Sequence, residues 1–314
     1  MTLSLEAVGL TKRFGSFTAL DHLSLKLEGA KCVGFLGPNG AGKTTALKMF
    51  TDLIFPSEGE AFINGISVQK DRKRALAPCG DLIETPEIYP SLTPREALEL
   101  SGAVRGMRPD EIASRTKAVL AEVKMTDWVD LKVGRFSKGM KQRVNIAASL
   151  LSDPEVVILD EPSTGLDPRG MAEVRNIVRS LKKENRLIFM SSHILSEVVD
   201  ICDEVALIDH GKLLFYDTLS NVSKRLTSSA TSVELAFLGP ISDETLASQV
   251  ASIPGVSGLS RAGPQRARVM ITGGAEAQAQ VLERLASAHL GLVSFEPSQS
   301  ALEELYLQEI SKGD

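Results

Sequence analysis

From the amino terminus to about Tyr216, short β-branched or apolar runs alternate with longer segments whose apolar residues recur at helical spacing. This is the pattern of an α/β domain whose strands are buried between helices. The punctuation agrees with it. Thr93-Pro94-Arg95-Glu96 joins an N-cap, a proline at the first helical position and a glutamate that can reach back, and Asp167-Pro168 opens another helix in the same way. Asn64-Gly65, between Ala61-Phe62-Ile63 and Ile66-Ser67-Val68, predicts a hairpin turn.

The pattern shifts near Ser220, and residues 226–232 are small, polar and without period, which predicts a linker. A second domain is expected over 233–314. Its order reads strand (Val233 to Leu238), helix (Asp243 to Ala251), strand (Val256 to Ser260), strand (Ala267 to Ile271), helix (Glu276 to Ala288), strand (Leu292 to Phe295). That β-α-β-β-α-β order matches the ferredoxin-like split unit, with a last helix from Ser300 to Ile310 appended.

Composition narrows the class. A chain of 314 residues, 43% of them apolar, is long enough for about two domains with a core in each. No window approaches the roughly 18 uninterrupted apolar residues of a membrane helix. The start, Met1-Thr2-Leu3-Ser4-Leu5-Glu6, shows no secretory signal, so an intracellular location is expected. Cys32, Cys79 and Cys202 are odd in number and lack CxxC spacing, which argues against a disulfide framework and a zinc site. A net charge of -5 with interleaved signs, and no basic tract with aromatic neighbours, argues against nucleic acid as a partner.

Candidate chemistry begins at Cys32-Val33-Gly34-Phe35-Leu36, an apolar strand that runs into Gly37-Pro38-Asn39-Gly40-Ala41-Gly42-Lys43-Thr44. That octet fits GxxxxGK[ST] at every defined position, followed by Thr45. Glycines let successive backbone N–H groups point at phosphate oxygens, and the helix that follows adds the positive end of its dipole. Lys43 is expected to reach the β- and γ-phosphates and Thr44 to bind Mg²⁺. Further on, Val156-Val157-Ile158-Leu159 is a buried-type strand ending in Asp160-Glu161, a costly place for two carboxylates unless a cation meets them. Asp160 is expected to hold the metal, and Glu161 to orient and polarise the attacking water.

Between these motifs lies Phe136-Ser137-Lys138-Gly139-Met140-Lys141-Gln142-Arg143, which resembles the signature motif of the ATP-binding-cassette (ABC) family. Ser137 and Gly139 match the usual Leu-Ser-Gly-Gly-Gln form, while Lys138 and Met140 depart from it. Other motifs follow in the family's order: Gly80-Asp81-Leu82-Ile83-Glu84 as the Q-loop, with Glu84 in the glutamine position; Ser163-Thr164-Gly165-Leu166-Asp167 as the D-loop; and Ser191-Ser192-His193 as the switch histidine. Phe14 stands where the family places a ring that stacks on adenine. The resemblance covers roughly Leu3 to Tyr216 and implies a P-loop NTPase cassette over 1–225, with a helical signature subdomain over about 90–155.

The resemblance also implies a mechanism. Phe14, residues 37–45, Glu84, Ser137 and Gly139 would bind ATP; Thr44, Glu84 and Asp160 would hold Mg²⁺; Glu161 and His193 would be catalytic; Asp167 would serve the D-loop. Two cassettes, a homodimer or a pair of paralogues, would close head to tail on two ATP. They would drive a separate integral membrane permease from the cytoplasmic face of the cell membrane, with the segment Ile83 to Leu92 receiving a coupling helix. The stretch Ile-Glu-x-Pro-x-x-Tyr-Pro and the tail Leu302 to Leu307 resemble cassettes of ABC-2-type exporters. Export is the direction implied; an importer cassette or a soluble ABC ATPase are the alternatives.

Overall fold

A computed structural model describes residues 3–84, 87–182, 185–222, 231–250, 253 and 255–297. The chain divides into two compact units, Met1–Asp217 and Thr218–Asp314. In chain order the first unit runs β1 (Ser4–Phe14), β2 (Phe17–Glu28), β3 (Lys31–Leu36), α1 (Lys43–Phe50), β4 (Glu58–Ile63), β5 (Ile66–Ser67), α2 (Arg72–Leu76) and β6 (Cys79–Leu82). It continues through α3 (Pro94–Val104), α4 (Pro109–Glu122), α5 (Lys138–Ser149), β7 (Val156–Leu159), α6 (Pro168–Leu181), β8 (Leu187–Ser192), α7 (Leu195–Ile201), β9 (Glu204–Asp209) and β10 (Lys212–Thr218).

Two sheets form. One has the order β10-β9-β3-β8-β7-β6, and its β9-β3, β3-β8, β8-β7 and β7-β6 pairs are parallel. Every residue of β7 and β8 is buried, the environment that gives central parallel strands their unbroken apolar runs. The other sheet, β2-β1-β4-β5, is antiparallel, an addition that the simple strand–helix alternation does not announce. Phe35, Phe50 and Phe189 stack within one buried core that also takes in Leu5, Leu20 and Ile63 from the antiparallel sheet. α1 therefore sits on a packed foundation, and the loop before it starts from a fixed point. Helices α3, α4 and α5 pack together within the 90–155 segment.

The local signals correspond to particular bonds. Thr93 accepts from the Glu96 N–H while the Glu96 side chain accepts from the Thr93 N–H, with Pro94 in the first turn of α3. Asp167 caps α6 by accepting from the Gly170 N–H. Asn64 and Gly65 both take positive φ (50° and 75°), as a type I′ turn requires, and Ile63 pairs with Ile66 across it. The three cysteines are buried free thiols; Cys32 and Cys202, distant in sequence, bring their Sγ atoms to 3.6 Å.

The second unit contains β11 (Thr231–Phe237), a helix (Asp243–Val250), β12 (Val256–Gly263), β13 (Arg266–Ile271), a helix (Gly274–Ser287) and β14 (Leu292–Pro297). Its antiparallel sheet has the order β12-β13-β11-β14, the arrangement of the split unit. Thr231 and Ser232, expected in the linker, already pair with Ile271 and Met270 in the sheet. Polar residues at a strand's start carry no alternation and read as loop. The rest of the expected linker, 226–230, and the helix expected from Ser300 to Ile310 lie outside the described residues.

Candidate functional site

The parallel strands β3, β8 and β7 end at one edge of the sheet, since Leu36 pairs with Ser192 and Leu159 with Met190. The segments that leave these three strand ends carry the candidate chemistry, the usual location of sites in open α/β sheets. Residues 37–42 connect β3 to α1. Gly42 takes φ 100° as the N-cap of α1, and a Cβ there would lie 2.5 Å from the Ala19 carbonyl oxygen. A Cβ on Gly37 would lie 2.3 Å from the Ile208 carbonyl oxygen. Both positions thus require glycine because backbone passes against them. Within the loop, the Ala41 N–H donates to the Pro38 carbonyl and the Ala41 carbonyl accepts from the Gly211 N–H.

Lys43 is 4% exposed, and its ammonium donates to the Gly37 and Pro38 carbonyls at 2.8 and 3.0 Å. It lies 3.3 Å from Glu161 Oε1. Glu161 Oε2 accepts from the Thr164 hydroxyl (2.8 Å) and meets His193 Nδ1 at 3.0 Å. One carboxylate is therefore held by Lys43, Thr164 and His193. Burial pushes the Glu161 carboxyl up, but the Thr164 hydrogen bond and the charges of Lys43 and His193 outweigh it and hold the group below its ordinary range. Glu161 takes a positive φ of 44°, an uncommon backbone for glutamate.

Asp160 is buried, and its Oδ1 accepts from the Ser191 hydroxyl at 2.6 Å; the same hydroxyl accepts from the Glu161 N–H at 2.8 Å. Phe14, Phe17, Ala19, Asn39, Gly40, Gly42, Lys43, Thr44, Thr45 and Glu161 line one cleft of about 300 Å³. Among the described residues no cluster of three His, Cys, Asp or Glu side chains forms a ready-made metal cage. A sparse donor set such as the Thr44 hydroxyl and the Asp160 carboxylate suits Mg²⁺ completed by water and phosphate oxygens.

Four expected site residues stand elsewhere. Glu84 is 66% exposed in side chain and pairs with Lys48 of α1, not with Thr44 or Asp160. Ser137 caps α5 by accepting from the Met140 N–H. Gly139 closes on Gly170, where a Cβ on Gly139 would meet the Gly170 Cα at 3.4 Å, so the signature helix and α6 start side by side. Asp167 is engaged in capping α6. The Lys138 ammonium lies over Gly165 of the D-loop. The sequence assigns no role to Phe17, nor to Thr164 and Ser191 within the motifs that contain them. Phe17 has a legible signal, because Phe14-Gly15-Ser16-Phe17 is a two-residue hairpin connection that pairs the two rings.

This fold and cleft define a P-loop nucleotide-binding cassette. The family model described as "ABC transporter" matches residues 20–164. The bacitracin transport ATP-binding protein BcrA of Bacillus licheniformis is 41% identical over 226 residues, covering 72% of this chain and 73% of that protein. The linearmycin resistance ATP-binding protein LnrL of Bacillus subtilis is 32% identical over 222 residues, 71% of each chain. The Nod factor export ATP-binding protein I of Ralstonia nicotianae is 34% identical over 208 residues, 66% of this chain and 65% of that one. Among solved structures, an ATP-binding subunit of an ABC transporter superposes with a TM-score of 0.62 at 28% identity, covering 70% of this chain and 92% of its own. The cassette MJ0796, in a dimeric post-hydrolysis state with ADP and Pi, shares the fold with a TM-score of 0.61 at 22% identity, over 68% of this chain and 98% of that one. The chain belongs to the ABC transporter ATP-binding family, and its relatives include a subunit named for export of Nod factor.

Proposed function

We propose that this chain hydrolyses ATP as the motor subunit of an ABC exporter, working as a head-to-tail pair on a separate membrane permease. The observation that carries the reading is the position of Glu161, whose carboxylate meets Lys43 at 3.3 Å and His193 at 3.0 Å beside the phosphate loop. ATP entering the cleft brings its γ-phosphate to Lys43, which exchanges the Gly37 and Pro38 carbonyls for phosphate oxygens. Glu161, released from the ammonium, accepts the proton of the attacking water, and His193 and Thr164 hold the carboxylate in orientation. Thr44 and Asp160 would hold Mg²⁺, which neutralises phosphate charge when bound.

Ser137 and Gly139 line no part of their own chain's cleft among the described residues. They stand at the start of α5, where a helix N-terminus suits a phosphate of a second copy's ATP. For the permease, a groove of about 280 Å³ in the helical segment is lined by Ile88, Tyr89, Leu92, Leu98, Leu100 and Val144 among others, with Tyr89 67% exposed. It suits an amphipathic helix laid across it. Among the described residues no helix is long and apolar enough to cross a membrane, so the reading assigns the spans to another chain. The Nod factor export relative supports export as the direction.

The test is Glu161→Gln. It should bind ATP and form the dimer while kcat falls about a hundredfold or more, the scale of a lost general base. Steady-state hydrolysis near the unsubstituted rate would refute the assignment.

A further inference from the structure

Phe14 and Phe17 are the last register pair of the β1–β2 hairpin, joined by Gly15-Ser16, with Gly15 supplying a positive φ of 59°. Directly paired residues of antiparallel strands project to the same face, so both rings stand together. Both border the nucleotide cleft and both are left largely in water, Phe14 53% and Phe17 62% exposed. Two exposed phenylalanines side by side are unfavourable unless something apolar covers them.

The two rings differ in what already touches them. The Lys12 ammonium lies 5.1 Å from the centroid of the Phe14 ring and donates to the Phe55 carbonyl, so one face of Phe14 is occupied by a tethered cation. Among the described residues Phe17 makes no ring or cation contact. A flat π-system entering above the phosphate loop therefore finds in Phe17 a ring with an uncovered face. The neighbouring cleft residue on the hairpin is Ala19, which offers no polar side chain.

We propose that Phe17 is a second base platform of the nucleotide cleft, stacking against the base beside Phe14 and stabilising purine nucleotides without reading their edge. This rests on the cleft being the ATP site. Phe17 has no donor or acceptor, so its contribution is equal for adenine and guanine and absent for a ligand with phosphates alone.

The experiment is calorimetric titration of the full chain, unsubstituted and as Phe17→Ala and Phe17→Trp, with Mg²⁺ and three probes: ATP, GTP and inorganic tripolyphosphate. Phe17→Ala should weaken ATP and GTP alike by about tenfold, within the range for loss of one base–aromatic stack, and leave tripolyphosphate unchanged. Phe17→Trp should restore purine affinity, and its added indole fluorescence should be quenched by ATP and not by tripolyphosphate. Equal loss for all three probes would mean that the substitution acts on the phosphate loop, and unchanged ATP affinity would mean that Phe17 touches no base; either overturns the proposal. If the unsubstituted chain binds tripolyphosphate and ATP equally well, no base is held in the cleft and the Phe17 role falls while the phosphate site stands. If it binds neither, the ATP reading itself fails.

Discussion

Glu161 is subject to opposing influences: burial raises its pKa, while the Thr164 hydroxyl, Lys43 and His193 lower it further than burial raises it. Because the folded value lies below the unfolded one, this group stabilises the fold above the ordinary carboxylate pKa and loses that effect as pH falls through its depressed value. The stability difference between the wild type and Glu161→Gln should therefore shrink as the pH falls below about pH 4, as read from urea unfolding at each pH. A difference that widened on acidification would contradict the sign. Ser191 offers a second residue-scale test. Its buried hydroxyl serves Asp160 and the Glu161 N–H at once, so Ser191→Ala strands a carboxylate oxygen and an amide. The cost should be about 1–3 kcal/mol, visible as a melting temperature lower by several degrees. An unchanged melting point would show that water takes over both bonds.

Elements differ in how far they can be read from the chain. The phosphate loop is legible because its requirements fall on consecutive residues: an apolar strand, then glycines where Ala19 and Ile208 carbonyls press in, then Lys43. The start of α3 is legible for the same reason, as Thr93, Pro94 and Glu96 act within one turn. Thr93→Ala should remove the capping box and cost about 1 kcal/mol, with α3 amides exchanging faster at its first turn; unaltered exchange there would show that tertiary packing alone fixes that end. What depends on pairing between distant segments is not legible. The Ser191–Asp160 bond needs the alignment of β8 with β7, and the Glu84–Lys48 pair needs α1 beside the segment after β6. Motif position assigns Glu84 to the metal, but its positive φ of 60° and the lysine within reach place its carboxylate on that ion pair.

At the scale of the molecule, each unit closes a core of its own. One core joins β1, β2, β3, α1, β7 and β8 around Phe35, Phe50 and Phe189; the other is built from Val233, Leu235, Phe237, Val269, Ile271, Val281 and Leu285. Among the described residues, those that line the nucleotide cleft and the partners of Glu161 all lie in the first unit. Two cores with separate residues should melt as two cooperative events, and a ligand held by one unit should move only that event. Scanning calorimetry of the full chain should thus show two transitions, with Mg-ATP at about a hundred times its Kd raising one of them by roughly 5–10 °C, the shift that about 2.7 kcal/mol produces in a domain of this size. A chain ending at residue 222 should keep that transition, its ATP-dependent shift and its nucleotide affinity. A single transition displaced as a whole by ATP, or loss of nucleotide binding on truncation, would show that the carboxyl-terminal unit completes the cassette rather than standing as a module beside it.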